Sequence, residues 1–276
     1  MQIDFTKMHG LGNDFLIFNR PDGAALPTVE QWRLLSDRHR GIGFDQALVF
    51  EPARGAEAIA SYRIFNADGG EAQQSGNGVR CAVRLQHLRG RSKQGAVVLE
   101  SRAGLIRGQV REDGSVSVDM GPPDFEPRSL PFDATAPAAT YSLPFDGETV
   151  EFGAVSMGNP HAVLRVAAVE SAPVERLGKL LQASSHFPQQ VNVGFMQVMD
   201  AGHIRLRVYE RGAGETLACG TGACAAVSVG RSLGLLGADV EVHVPGGKLG
   251  VHWDGPGQPV WLTGPAVIAF EGRVQI

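Results

Sequence analysis

The sequence predicts an α+β fold made of two related halves, each of about 140 residues. The chain of 276 residues is long enough for two ordinary domains. A short glycine loop occurs twice, as SGNG at 75–78 and as CGTG at 219–222. Segments with strand-like alternation outnumber the helical segments and do not alternate with them one for one, which is typical of an α+β class.

Strands are predicted where apolar and polar residues alternate over short segments bounded by turn-forming residues. Eleven segments fit this pattern: 1–8, 15–19, 96–101, 105–112, 115–120, 149–155, 162–167, 203–210, 239–244, 249–253 and 259–264. An apolar segment continues past the last of them. We therefore expect a C-terminal strand in 265–276 that returns to the first half.

Four segments have the periodicity of helices: 28–40, 77–90, 171–185 and 221–237. The first of them opens with Thr28 and Gln31, which occupy the positions of a capping box. The second and the fourth each follow one of the two glycine loops. Each half is therefore predicted to contain many strands and two helices.

The two halves align with a nearly constant offset. The segment FNADGGEAQQSGNG (65–78) aligns with YERGAGETLACGTG (209–222) at an offset of 144 residues. Upstream, Asn13 aligns with Asn159 and Gln46 with Asn192, both at an offset of 146 residues. Four landmarks that recur in one order favour two homologous halves over coincidence among glycine-rich turns.

A proline-rich segment, 121–140, separates the two halves. We therefore expect one domain from residues 1–120, completed by strand 265–276, and a second from residues 121–264. Because binding sites favour domain interfaces, the functional site is predicted in the cleft between the two domains.

Composition excludes several classes of function. The net charge of −4 gives no electrostatic footprint for nucleic acid, and no apolar run approaches the length of a membrane span. The N-terminus lacks the apolar core of a signal peptide, so we expect a cytoplasmic protein. The three cysteines have no zinc-site spacing, so no metal is expected. The four lysines lie outside the repeated motifs, which argues against a pyridoxal cofactor.

The glycine loops have the chemistry of anion sites. Each precedes a predicted helix, where backbone N–H groups point toward a ligand and glycine allows close approach. The helix dipole is expected to lower the pKa of a thiol at Cys219. Cys81 and Cys224 lie further along the helices and are predicted to be structural. Two such loops, each ending in a group able to move a proton, suggest a two-base site acting on an amino acid.

These motifs resemble those of the diaminopimelate epimerases over the whole chain. The resemblance rests on MHGLGNDF (8–15), FNADGGEAQQSGNGVRC (65–81), MGNPHAV (157–163), QVNVGF (190–195) and YERGAGETLACGTGACA (209–225). It implies two pseudo-symmetric halves, each a barrel-like, mostly antiparallel sheet wrapped around a central helix. It also implies a cofactor-independent homodimer that interconverts LL- and meso-diaminopimelate in the biosynthesis of lysine and peptidoglycan precursors.

The resemblance assigns roles residue by residue. Cys219 matches one catalytic cysteine, and Ser75 stands at the position of the second. The loop residues that would hold the reacting carboxylate are Gly76, Asn77, Gly220 and Thr221. The other positions that match substrate contacts or frame the site are Asn13, Gln46, Asn66, Asn159, His161, Asn192, Glu210 and Arg211. Arginine suits the distal carboxylate of such a substrate, and glutamate suits an ammonium group.

Ser75 departs from the family pattern, either as a natural variant or as an engineered replacement. A serine hydroxyl does not ionise near neutral pH without a dedicated base, so the chain is expected to be inactive or strongly impaired as an epimerase. Two alternatives stay open. One is a proline racemase-like or hydroxyproline-processing enzyme with a single thiol, and the other is a non-catalytic module that binds an amino acid.

Overall fold

The computed structural model describes residues 2–20, 23–72, 75–102, 104–134, 136–145 and 147–276. The chain divides into two compact units. Unit 1 consists of residues 1–118 and 264–276, and unit 2 consists of residues 119–263. Gln73 and Gln74, which belong to the first glycine-loop motif, lie outside the described residues.

The elements follow one another in a regular order. The first part of unit 1 contains β1 (Gln2–Gly10), β2 (Asn13–Asn19), α1 (Val29–Ser36), β3 (Gln46–Glu51), β4 (Ala60–Asn66), β5 (Glu71–Ala72), α2 (Gly76–Leu88), β6 (Ala96–Ser101), β7 (Gly104–Val110) and β8 (Val116–Asp119). Unit 2 contains β9 (Tyr141–Phe145), β10 (Glu148–Ser156), β11 (Pro160–Arg165), α3 (Val174–Gln182), β12 (Asn192–Asp200), β13 (His203–Glu210), β14 (Gly214–Thr216), α4 (Gly220–Ser232), β15 (Asp239–Val244), β16 (Gly247–Trp253) and β17 (Val260–Gly264). The chain then returns to unit 1 with β18 (Val267–Gln275).

The sheet of unit 1 runs in the order β18-β1-β2-β3-β4-β6-β7-β8, with the short β5 also paired to β4. Only the β2–β3 and β4–β6 pairs are parallel. The other neighbours are antiparallel, as predicted for most of the sheet. The predicted return of the C-terminal strand is seen in the pairing of β18 with β1.

The sheet of unit 2 repeats this topology strand for strand, in the order β9-β10-β11-β12-β13-β15-β16-β17. The register repeats as well. Ala47 pairs with Phe65 in unit 1, and Val193 pairs with Tyr209 in unit 2. The internal repeat seen in the sequence is therefore a repeat of strand pairing, including its two parallel pairs.

One helix of each unit is enclosed by its sheet. In α2, ten of thirteen residues are buried, and this helix packs against β1, β2, β3, β6 and β7. In α4, eleven of thirteen residues are buried, and its contacts are β10, β11, β12, β13 and β16. An α+β fold with a central helix in each half is therefore confirmed. Such full burial suits α4, in which eight of thirteen residues are alanine, valine or glycine.

The other two helices pack through one apolar face. Trp32 of α1 stacks on Phe65 with ring centroids 5.0 Å apart, and in unit 2 Leu177 and Leu181 of α3 lie in a cluster with Phe195. The capping box at Thr28 and Gln31 is confirmed, since each side chain bonds the other residue's backbone N–H.

Some predicted boundaries and strands are wrong. The first helix ends at Ser36 rather than at residue 40, because the Asp37 carboxylate accepts the backbone N–H groups of His39 and Arg40. Strands β3, β4 and β12 were not predicted. In β3 and β12 the buried residues form unbroken runs, and in β4 only Arg63 interrupts them, so these strands lack the alternation on which the prediction relied.

Candidate active site

The two glycine loops have the same cap geometry. Ser75 is the N-cap of α2, and its hydroxyl oxygen accepts the backbone N–H of Gly78 at 3.3 Å. Cys219 is the N-cap of α4, and its sulfur accepts the backbone N–H of Gly222 at 3.3 Å. Both side chains are therefore fixed at a helix N-terminus, where the helix dipole favours negative charge.

Glycine three residues into each loop avoids close contacts with the strands that pack against the helix. A Cβ atom at Gly78 would lie 3.0 Å from the ring of Phe15. At Gly222 it would lie 3.0 Å from the side chain of Val208. Because Phe15 and Val208 are buried, these tight contacts favour glycine at both positions.

A polar contact next to each loop is also repeated. In unit 1, the Asn77 side-chain amide donates to the Asn13 carbonyl oxygen at 3.1 Å. In unit 2, the Asn159 amide donates to the Thr221 hydroxyl at 3.3 Å. The aligned residues of the two halves therefore form equivalent side-chain pairs.

In unit 1, charged residues fix these amides. Arg80 is fully buried and donates to the Asn77 oxygen at 2.9 Å, while the Asn13 amide donates to Asp45 at 2.9 Å. Arg38 bonds Asp45 at 2.8 Å. A guanidinium only donates and a carboxylate only accepts. These connected hydrogen bonds therefore determine which edge of each amide faces outward. Further along the strands, Gln46 donates to the Asn66 oxygen at 2.9 Å.

In unit 2, the aligned residues form a second network. The Asn192 amide donates to the carbonyl of Pro160 at 3.0 Å, and its oxygen accepts the backbone N–H of Arg211 at 2.9 Å. The Arg211 side chain is exposed and donates to the carbonyl of Gln189 at 3.0 Å. Glu210 accepts a hydrogen bond from the Thr216 hydroxyl.

His161 is buried beside this network, with a ring nitrogen 3.0 Å from the Asn159 oxygen. Burial, and secondarily the positive charge of Arg211, lowers the pKa of His161 to about 3. The imidazole is therefore neutral at physiological pH. It can act as a hydrogen-bonding group but does not carry a charge there.

The expected lowering of the Cys219 pKa is wrong for the unliganded chain. Burial raises the pKa of this thiol well above its usual value, and the nearby Glu210 carboxylate, which the thiol also contacts by a hydrogen bond, raises it further. The hydrogen bonds from Thr221 and from the N–H of Gly222 act in the opposite direction but are weaker. The free site thus holds a neutral thiol beside a carboxylate.

All fourteen predicted site residues lie within the described part of the chain. Six belong to unit 1 and eight to unit 2, and within each unit contacts connect most of them. Sequence reasoning missed Arg38, Asp45 and Arg80. Asp45 directly precedes Gln46, and this acidic neighbour of an aligned residue was the available signal.

Alkylation should distinguish the three cysteines. None of them forms a disulfide and all are buried, but Cys81 and Cys224 have no exposed surface, whereas Cys219 retains 4% at the loop. We expect iodoacetamide to modify Cys219 first in the native protein, as followed by peptide mass spectrometry. Equal rates at the three cysteines in the folded protein would contradict this expectation.

No group of three or more potential metal ligands occurs in the part of the chain that the structure describes. Over the same residues, none of the helices has the length and apolar character needed to cross a membrane.

The chain is similar in sequence to known proteins over nearly its whole length. A family model described as diaminopimelate epimerase matches residues 5–126 and 153–269. A diaminopimelate epimerase of Alkalilimnicola ehrlichii is 53% identical, with both chains fully covered. A diaminopimelate epimerase of Nitrosospira multiformis is 51% identical over all of this chain and 99% of its own.

Solved structures share the fold at low identity. A hydroxyproline epimerase from Agrobacterium vitis, with bound trans-4-hydroxy-L-proline, has a TM-score of 0.73 and 18% identity, covering 99% of this chain and 92% of its own. A PhzF-family protein of Bacillus anthracis has a TM-score of 0.68 and 17% identity, with both chains fully covered. The sequence matches extend over nearly the whole chain, and the chain belongs to the diaminopimelate epimerase family.

Proposed function

We propose that this chain binds diaminopimelate and acts, without a cofactor, on the hydrogen of its α-carbon to interconvert the LL and meso forms. The observation that carries the proposal is the duplicated helix cap, with Ser75 in one loop and Cys219 in the other. An α-carbon has two faces, and inversion needs one proton-transfer group for each. The duplicated loop supplies two such positions. Membership of the family supports diaminopimelate as the substrate.

The mechanism we propose begins with the substrate carboxylate. Backbone N–H groups at the start of α4 would bind the carboxylate of the reacting centre and stabilise charge that develops when the α-proton leaves. Cys219 first releases its own proton to solvent, the resulting thiolate takes the α-proton, and the electron pair of the broken C–H bond stays on the carbon. Inversion then requires a proton delivered from the opposite face, which is the role of position 75.

Glu210 connects substrate binding to the state of the thiol. In the free chain its negative charge raises the pKa of Cys219. We propose that the substrate ammonium binds to Glu210. This ion pair would neutralise the carboxylate and so remove one cause of the raised pKa. The thiol would then ionise mainly when the substrate is present.

The serine at position 75 limits the reaction. Its oxygen accepts the N–H of Gly78, and a hydroxyl holds its proton far more tightly than a thiol does. We therefore propose that the chain exchanges the α-proton on the face served by Cys219 and delivers a proton poorly from the other face. Its epimerase activity is expected to be strongly impaired.

Binding and isotope exchange test the proposal together. We expect calorimetry to show saturable binding of meso-diaminopimelate, and mass spectrometry to show deuterium uptake from D₂O at an α-carbon. Exchange into hydroxyproline instead would favour a proline racemase-like enzyme with one thiol. Binding without any exchange, which persists after Ser75→Cys, would identify a non-catalytic binding module.

Arg211 is proposed to bind the distal carboxylate. Its guanidinium is exposed, and its backbone is held by Asn192 in the segment that leads to Cys219. Arg211→Lys keeps the charge but loses the planar fork, so we expect meso-diaminopimelate to bind about tenfold more weakly, as measured by calorimetry.

A ligand without the distal carboxylate provides the control for Arg211→Lys. Its affinity should be nearly unchanged by the substitution, while the melting temperature of the protein stays the same. If both ligands weaken equally, or if neither changes, Arg211 does not hold the distal group.

We also propose that the protein is a cytoplasmic homodimer. Cysteines that form no disulfide are typical of a reducing compartment. Val267, Ile268 and Phe270 of β18 remain 45%, 36% and 49% exposed, and β18 pairs only with β1 among the described strands. Exposed apolar residues along one strand are typical of an interface between subunits.

A single charge should disrupt this dimer. Phe270 contacts Phe5 edge to face, yet half of its surface is exposed. We expect Phe270→Asp to give a particle near the monomer mass of 29.3 kDa by light scattering, because a buried unpaired carboxylate opposes association. Leu105→Asp, at an exposed leucine of β7, is the matched control and should leave the mass unchanged. A dimer that survives Phe270→Asp would place the interface elsewhere.

A further inference from the structure

Unit 1 has a cavity of about 430 Å³ that is lined by four arginines and one glutamate: Arg20, Glu51, Arg54, Arg63 and Arg102. Strand register brings them together. Arg20 directly follows β2, Glu51 ends β3, and these strands are parallel with Asn19 beside Phe50. Likewise β4 and β6 are parallel, with Ser61 beside Glu100, so Arg63 and the residue after β6, Arg102, lie side by side.

The arginines of this cavity retain many unfilled N–H donors. Arg20 uses one donor on Glu51 and one on the carbonyl of Ala24. Arg63 binds Glu71 through two donors, and Arg102 binds the same carboxylate through one. Since each guanidinium has five N–H donors, most of them face solvent or the cavity.

Arg54 is the least engaged of the four. Its backbone N–H donates to Glu100, but its guanidinium bonds none of the described residues. The carboxylates of Glu71 and Glu100 offset part of the positive charge from outside the lining. The lining itself has four cations against the single carboxylate of Glu51, in a chain whose net charge is −4.

The repeat shows that the fold does not need these arginines. Arg20 donates its backbone N–H to Phe50, and the equivalent bond in unit 2 runs from Val166 to Met196. Unit 2 thus has valine in place of Arg20. The parallel β13–β15 register, with Ile204 beside Val242, places Pro245 where unit 1 has Arg102.

For the other two arginines, Arg54 and Arg63, the comparison with unit 2 gives different results. Arg54 lies in a connection of eight residues between β3 and β4, whereas only Ala201 and Gly202 connect β12 to β13. The Arg63–Glu71 pair does recur, as Arg207–Glu215. One arginine of the cavity therefore belongs to the duplicated framework, and the other three are particular to unit 1.

We infer that this cavity binds a small molecule that carries a phosphate or pyrophosphate group. Guanidinium groups bind phosphate oxygens through two parallel hydrogen bonds, and phosphate concentrates about two negative charges on one group near neutral pH. The volume of the cavity lies within the ordinary range for small-molecule sites. Diaminopimelate carries two ammonium groups as well as two carboxylates, so it does not match a lining in which arginines predominate.

Calorimetric titration of the intact protein with pyrophosphate, at physiological ionic strength, tests this inference. We expect saturable binding that Arg54→Gln and Arg102→Gln each weaken at least about tenfold, equivalent to about 1.4 kcal/mol. Arg128→Gln is the matched control. Arg128 is an arginine of unit 2 with 88% of its side chain exposed, and its removal should leave pyrophosphate affinity unchanged.

The outcomes separate this site from the proposed function. No saturable binding, or an equal loss in all three variants, would overturn the inference, because general surface charge would then account for the effect. Citrate binding as tightly as pyrophosphate would overturn the assignment to phosphate groups. Ser75→Cys should not change pyrophosphate affinity, so a failure of the epimerase proposal leaves this measurement intact.

Discussion

Ser75→Cys should increase the rate of interconversion of LL- and meso-diaminopimelate by about 10²–10⁴-fold, the usual contribution of one general acid–base group. The substitution replaces the hydroxyl at the cap of α2 with a thiol at the position equivalent to Cys219. Sulfur already accepts the same N–H bond in the equivalent loop, so the fold should tolerate the change. The rate is measured by chiral chromatography of the two stereoisomers.

Two further variants control for this result. Ser75→Ala removes the hydroxyl without supplying an acid and should give no gain. Ser75→Cys combined with Cys219→Ser restores one thiol while removing the other, and should fall back to the rate of the unmodified chain. Full turnover by the unmodified chain would contradict the two-thiol hypothesis. So would a Ser75→Cys protein that binds the substrate but shows no increase in rate.

Glu210→Gln should have two opposite effects. In the free protein the negative charge of Glu210 disfavours the Cys219 thiolate, so removing that charge lowers the pKa of the thiol. The pH midpoint for alkylation of Cys219 should therefore move to lower pH. Turnover in the Ser75→Cys background should fall about 10–100-fold, because the substrate ammonium loses a charged hydrogen-bond partner.

The neighbouring carboxylate Glu215 provides the matched control for this experiment. It lies on β14, where Arg207 binds it through two hydrogen bonds of 2.6 and 2.8 Å. Glu215→Gln should leave the alkylation midpoint of Cys219 unchanged. If Glu210→Gln shifts the midpoint upward or not at all, Glu210 does not control the thiol. If turnover is also unaffected, Glu210 is not the ammonium site.

Local patterns were sufficient for much of the fold. The capping box at Thr28 and the four helices could be predicted, because each depends on spacing within a short segment. The return of the last strand could be predicted from its position after the end of the second half. Strands β3 and β12 could not. Each presents a continuous buried run, and periodicity does not separate such a run from a buried helix segment.

Residues of the candidate site could be predicted where the two halves of the sequence have matching residues. Repeated register led to Asn13 and Asn159 because the second half provides an internal comparison. Arg80 has no such counterpart, since Cys224 occupies the aligned position in α4. The pKa of Cys219 also could not be predicted, because burial and Glu210 act through the tertiary structure and outweigh the local helix terminus.

The pairing of β1 with β18 determines the order in which the chain can fold as it is synthesised. Gln2 pairs with Gln275, so the partner of β1 is synthesised only after the whole of unit 2. Unit 2 is one uninterrupted segment and has all of its strands available earlier. Closing a loop of this length is also entropically costly. During translation, the edge of β1 that pairs with β18 therefore stays unpaired while unit 2 folds. This nascent state is the one that most needs a chaperone.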